Sequence, residues 1–124
     1  FEPGEVGEIF SAHMLEHFPQ AALERQLLPY WHSLLAPGGT FRAVVPDIEA
    51  MIDQYRDGAI TFENLRTVAY GGQEYAGDFH HTAFTPDSLA ALLEKAGFVD
   101  VAVVERGRVN GDCLEFEVVA HRPA

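Results

Sequence analysis

The chain has 124 residues, 48% of them hydrophobic, enough for one compact domain over residues 1–124 with a sizeable core. Its formal net charge is −11, from 19 acidic and 8 basic residues. That balance excludes a nucleic-acid or anionic-membrane surface, since phosphate binding requires a basic patch. A single cysteine, Cys113, excludes an internal disulfide and suits a reducing, cytoplasmic setting. No apolar run approaches the roughly 20 residues needed to span a bilayer.

Glu8 to Ala12 reads as a short strand. From Pro19 to Leu35, Leu23, Leu27, Leu28, Trp31, Leu34 and Leu35 recur at helical spacing. Pro29 lies inside that run and predicts a kink or a split, because it lacks a backbone donor and crowds the preceding turn. Pro37-Gly38-Gly39 stops the helix, and Thr40 to Val45 is the clearest strand.

Asp47 can cap a helix carrying Ile48, Met51, Ile52 and Tyr55 on one face. Thr61 can cap a second, with Phe62, Leu65, Val68 and Ala69 inward, ended by Gly71-Gly72. Residues 72–83 have no period; polar, aromatic and glycine-containing, they suit a loop that meets a ligand. Thr85-Pro86 starts a helix, with Phe84 and Leu89 at the spacing of a hydrophobic staple. Gly97 takes its left-handed end, and Phe98 can fold back on Leu93. Val99 to Glu105 is a strand and Asn110-Gly111 a turn. Leu114, Phe116 and Val118 alternate with Glu115 and Glu117, giving a last strand with one wetter face. Phe10, Phe41, Phe116, Trp31 and Cys113 are expected in the core. Early alternation of strands and helices favours a parallel sheet, and the final hairpin adds an antiparallel strand.

Four stretches carry a family resemblance. The run Glu8 to Phe18, with Leu15-Glu16-His17 after an apolar strand, is similar to the fourth strand and following loop of class I S-adenosylmethionine-dependent methyltransferases. Leu34-Leu35-Ala36-Pro37-Gly38-Gly39 resembles the turn before their fifth strand, with alanine where lysine is usual. The helix from Pro86 to Ala96, with Gly97-Phe98, resembles the entry to their sixth strand, and the closing hairpin their reversed seventh. The resemblance runs over the whole chain in order and implies the C-terminal half of that α/β fold: a partial Rossmann-like sheet of about four strands, the last two an antiparallel hairpin, with flanking helices. The glycine-rich loop by which the family grips its cofactor has no counterpart in these residues.

The resemblance implies methyl transfer from S-adenosylmethionine to a small-molecule acceptor. Ala12, His13 and Met14 would lie beside the cofactor, and His80 would act as the base. Asp47, Tyr70, Gln73 and Tyr75 would shape the acceptor site. Plainer roles stand beside these: Asp47 as a helix cap, His13 and His17 as turn residues, His80 as a hydrogen-bonded loop histidine. The other function class is a non-catalytic module, truncated or remodelled, that binds or oligomerises. Strand 8–12 would be an exposed sheet edge, which predicts a homodimer through it. His13-Met14-Leu15-Glu16-His17 also fits H-x-x-E-H, the inverted zinc-protease pattern. That chemistry needs both histidines one turn apart on a helix, whereas here the motif straddles a strand end, so no metal site is assigned.

Overall fold

Four strands form one sheet in a computed structural model that describes residues 1–124. They are β1 (Val6–Ala12), β2 (Leu35–Pro46), β3 (Val99–Asn110) and β4 (Cys113–His121), in the spatial order β1-β2-β4-β3. β1 and β2 run parallel; β4 is antiparallel to both β2 and β3. The parallel pair needs a helical crossover, and a helical run over residues 20–34 (α1) supplies it. The hairpin needs only two residues: Asn110 pairs with Cys113, and Gly111 turns the chain at φ +61°.

Side chains alternate across β2 and β4, and one face of the sheet is apolar. Phe41, Ala43, Val45, Phe116, Val118 and Ala120 are buried there. They pack with Leu23 and Leu28 of α1 and with Leu89, Leu92 and Leu93 of α4 (Pro86–Lys95) in one core cluster. The other face is charged. Arg42 on β2 reaches Glu8 on β1 (3.5 Å) and Glu117 on β4 (2.8 Å). Arg108 on β3 reaches Glu117 (3.1 Å) and Glu115 (2.6 Å), so ion pairs cross all four strands. The wetter face expected of β4 is this one, yet Glu115 is only 5% exposed beneath its partners.

The ends of α4 follow the sequence signals. Thr85 Oγ1 accepts from the Ser88 amide (3.0 Å) and Ser88 Oγ accepts from the Thr85 amide (2.9 Å), a reciprocal cap. Phe84 and Leu89 are both buried, Gly97 sits at φ +99°, and the Phe98 amide donates to the Leu93 carbonyl (3.1 Å).

Several expectations need correction. Phe10 is 60% exposed, because the alternation of β1 turns Ile9 and Ser11 toward the core and Phe10 away from it. Cys113 is half-buried, at the start of β4 rather than in the core. α1 does not split at Pro29. A π turn over Leu23–Leu27 precedes it and places the proline in the first turn of the segment Leu28–Leu34, where its missing donor is tolerated. The helices α2 (Ile48–Arg56) and α3 (Phe62–Tyr70) are capped by Asp47 and Thr61 as expected, but their apolar faces are only partly covered. Met51 alone is buried in α2, no residue is in α3, and Phe62 packs edge-on against Tyr55 at 5.9 Å. β2 begins at Leu35 and so takes in Pro37-Gly38-Gly39, and β3 runs on to Asn110. No helix is long and apolar enough to cross a membrane.

Candidate functional site

The carboxyl ends of parallel strands leave a crevice where the sheet stops, and here β1 and β2 end together. Beyond Ala12, His13 turns the chain at φ +52°, its amide still bonded to the Val44 carbonyl (2.8 Å). A 3-10 turn over Leu15–His17 then points Leu15 into the core, buries Glu16 and leaves His17 half-buried.

The loop after α3 closes over this turn. Gly71, at φ +82°, bridges to Phe79, and the His80 amide donates to the Tyr70 carbonyl (2.9 Å). The amides of His81 (2.8 Å) and Thr82 (3.3 Å) both donate to the Glu16 carbonyl. The stitching brings His80 edge-on to His17, with ring centroids 4.6 Å apart. A cavity of about 240 Å³ results, lined among others by His13, Glu16, His17, Thr67, His80 and Cys113. A hollow of similar volume on α1, lined by Phe18, Ala22, Gln26, Leu27 and Tyr30, holds no histidine or carboxylate and offers no comparable chemistry.

Acidic groups set the electrostatics. His13 is raised from 6.5 to about 9, first by the Glu16 carboxylate and also by Glu115, against the opposing effect of burial. Its Nε2 donates to Glu115 Oε1 at 2.6 Å, and its Nδ1 lies 3.6 Å from Glu16 Oε2. Burial pushes the Glu115 carboxyl up, but hydrogen bonds from His13, Asn110 and Arg108 outweigh it and hold the group below its usual range. Burial, then the Glu115, Glu16 and Asp47 carboxylates, lifts the Cys113 thiol to about 11, which makes it a poor nucleophile at neutral pH.

Of the residues singled out in the sequence, His13 and His80 meet in the cavity. Tyr70 and Gln73 line an adjoining cleft of about 400 Å³ that shares Thr67, Gly71 and Gly72 with it. Ala12, Met14, Asp47 and Tyr75 line neither. Ala12 and Met14 are exposed beside the end of β1, and Tyr75 is 67% exposed on the loop. Asp47 is buried, its Oδ1 accepting from the Ala50 amide at 3.0 Å, the plainer role of a helix cap. The H-x-x-E-H histidines part company: His13 turns to Glu115 and His17 to the Phe79 carbonyl (3.0 Å). Glu16, His17, Thr67 and Glu115 were not singled out as site residues; the motif marked the first two, and the alternation of β4 marked Glu115 only as wet.

The architecture has close counterparts among solved structures. A methyltransferase of Methanosarcina mazei superposes with TM-score 0.66 over 99% of this chain and 62% of its own, at 18% identity. Human N-acetylserotonin methyltransferase, in complex with S-adenosylmethionine, gives 0.62 over 97% and 30%, at 15% identity. A Burkholderia thailandensis 1,6-didemethyltoxoflavin-N1-methyltransferase, with S-adenosylhomocysteine bound, gives 0.61 over 100% and 47%, at 18% identity. The fold is that of the class I S-adenosylmethionine-dependent methyltransferases. The chain spans less than two thirds of the length of each of these proteins. No family model and no curated protein matches it.

Proposed function

We propose that residues 1–124 form one domain, the C-terminal part of an S-adenosylmethionine-dependent methyltransferase acting on a small-molecule acceptor. The observation that carries this reading is the half-buried histidine cavity at the carboxyl ends of β1 and β2, in a sheet that superposes on that of a methyltransferase. Ala12, His13 and Met14 would form the wall beside the cofactor's methionine portion, with Ala12 and Met14 exposed and His13 held back by its bond to Glu115. The cofactor supplies an electrophilic methyl group on a sulfonium. The residues of this chain would then align the acceptor and take its proton.

His80 suits the base role. Its Nδ1–H donates to the Val68 carbonyl (2.8 Å), so the neutral ring holds a lone pair on Nε2. Tyr70, Gln73 and Tyr75 would shape the acceptor site around the loop, and Asp47 would act only by holding α2 in place. Calorimetric titration with S-adenosylhomocysteine tests the reading. Micromolar binding to the folded chain supports it; no heat from folded protein at adequate concentration overturns it for these residues.

One observation favours a second reading, a non-catalytic module that self-associates. β1 is an edge strand, with Phe10 exposed on it. An unpaired apolar edge templates pairing with another chain, here a second copy. Light scattering that reports a dimer, abolished by Phe10→Lys, supports this reading, and a monomer at high concentration rejects it.

A further inference from the structure

We infer that Glu16, His17 and His80 form a binding site for a divalent transition-metal ion of the zinc class. One oxygen of the Glu16 carboxylate and one ring nitrogen of each histidine all lie within 4.8 Å of one another. The hydrogen bonds around the trio match what a metal requires. Nδ1 of His17 donates to the Phe79 carbonyl at 3.0 Å, and Nδ1 of His80 donates to the Val68 carbonyl at 2.8 Å. A carbonyl only accepts, so each Nδ1 carries a proton, and in the neutral imidazole Nε2 is then the nitrogen with a free lone pair. Outer bonds of this kind orient the ring and fix the tautomer of metal-binding histidines.

The third ligand supplies an independent sign. Glu16 is only 2% exposed, and its Oε1 has no hydrogen-bond partner. A buried carboxylate oxygen without a partner is costly, and a cation beside the two Nε2 atoms would satisfy it. Two imidazoles and one carboxylate are a donor set for zinc with an open position, or for another first-row divalent ion. Ligand atoms around one such ion stand roughly 3.3 Å apart, given bonds of about 2.0–2.2 Å. The trio must therefore draw in by an ångström or so when the ion binds. The open coordination position would face the cavity. In the metal-loaded protein His80 is a ligand rather than a base, so this inference goes beyond the methyl-transfer reading and does not depend on it.

The experiment is titration of the full chain with Co²⁺ and with Zn²⁺, followed by visible absorption and by calorimetry, without the methyl donor. We expect one equivalent to bind and to raise the thermal midpoint. His17→Ala, His80→Ala and Glu16→Gln should each weaken binding by more than the 10–100-fold, in order of magnitude, typical of losing an outer-shell partner. His81→Ala, an exposed neighbour, should bind as the parent does. Circular dichroism confirms that each variant is folded, and Glu16→Gln keeps the buried shape if a histidine variant does not fold. No stoichiometric binding, or binding undiminished in the folded variants, overturns the inference. Metal binding without cofactor binding would leave the site standing and the methyl-transfer reading rejected.

Discussion

His13 joins a strained backbone to a charged hydrogen bond, and substitution can separate the two. Its φ of +52° lies in the left-handed region, which costs a non-glycine residue about 1 kcal/mol or more. Its imidazole donates to Glu115 at 2.6 Å, and Glu115 is only 5% exposed. A hydrogen bond to a charged group contributes about 1.5–3 kcal/mol. Because 32% of the His13 side chain meets solvent, the lower part of that range applies. His13→Ala should therefore cost about 2 kcal/mol, since Glu115 keeps Arg108 and Asn110. For a chain of this length that is a fall in Tm of roughly 8 °C. His13→Gly loses the same bond but relieves the backbone, and should lie about 1 kcal/mol above His13→Ala. Urea unfolding read by circular dichroism, with an unchanged slope, measures both. The reasoning fails if His13→Gly is no more stable than His13→Ala, or if His13→Ala costs less than about 0.5 kcal/mol, the floor for an ordinary hydrogen bond.

Three further outcomes follow from the same geometry. Arg42 foremost, with Arg108, holds the Glu117 carboxyl below its ordinary 4.5, so its contribution is complete above that value and disappears as pH falls through the lower folded one. The stability gap between the parent and Glu117→Gln should therefore shrink on acidification below pH 4.5, which urea midpoints at a series of pH values will show. Leu93→Ala empties a fully buried position under the sheet and should cost about 3 kcal/mol, read as a shifted urea midpoint. Gly71→Ala sets a Cβ against the Asp78 carbonyl oxygen at a positive φ; it should release the Gly71–Phe79 bridge and speed amide exchange at His80, with Leu93 unaffected.

The sheet was readable because its signals are local. Thr85-Pro86 with the Phe84–Leu89 staple, Gly97 and the closing alternation each fix an element without reference to distant residues. Placement of apolar side chains was less readable. Phe10 and Phe62 have the residue type of a core, but β1 turns Phe10 to the charged face and α3 stands clear of the sheet. The cavity depends on pairing between the turn at Glu16 and the loop at His80, far apart in the chain and bound mainly through backbone. No periodicity records such bonds. The H-x-x-E-H stretch lines the cavity, but its first histidine bonds to Glu115, and the ring that packs against His17 comes from a loop without a pattern.

The loop between Gly71 and Phe79 is anchored at both ends, by the bridge to Phe79 and by the bond from His80 to Tyr70, while Thr82 and His81 fasten its far side to Glu16. Between the anchors, Gln73 to Gly77 are exposed. A change of chain length is therefore best tolerated at that tip. A change of length there reshapes the cleft that Gln73 lines, while the turn at Glu16 and the ring of His80, held by the anchors, keep their places.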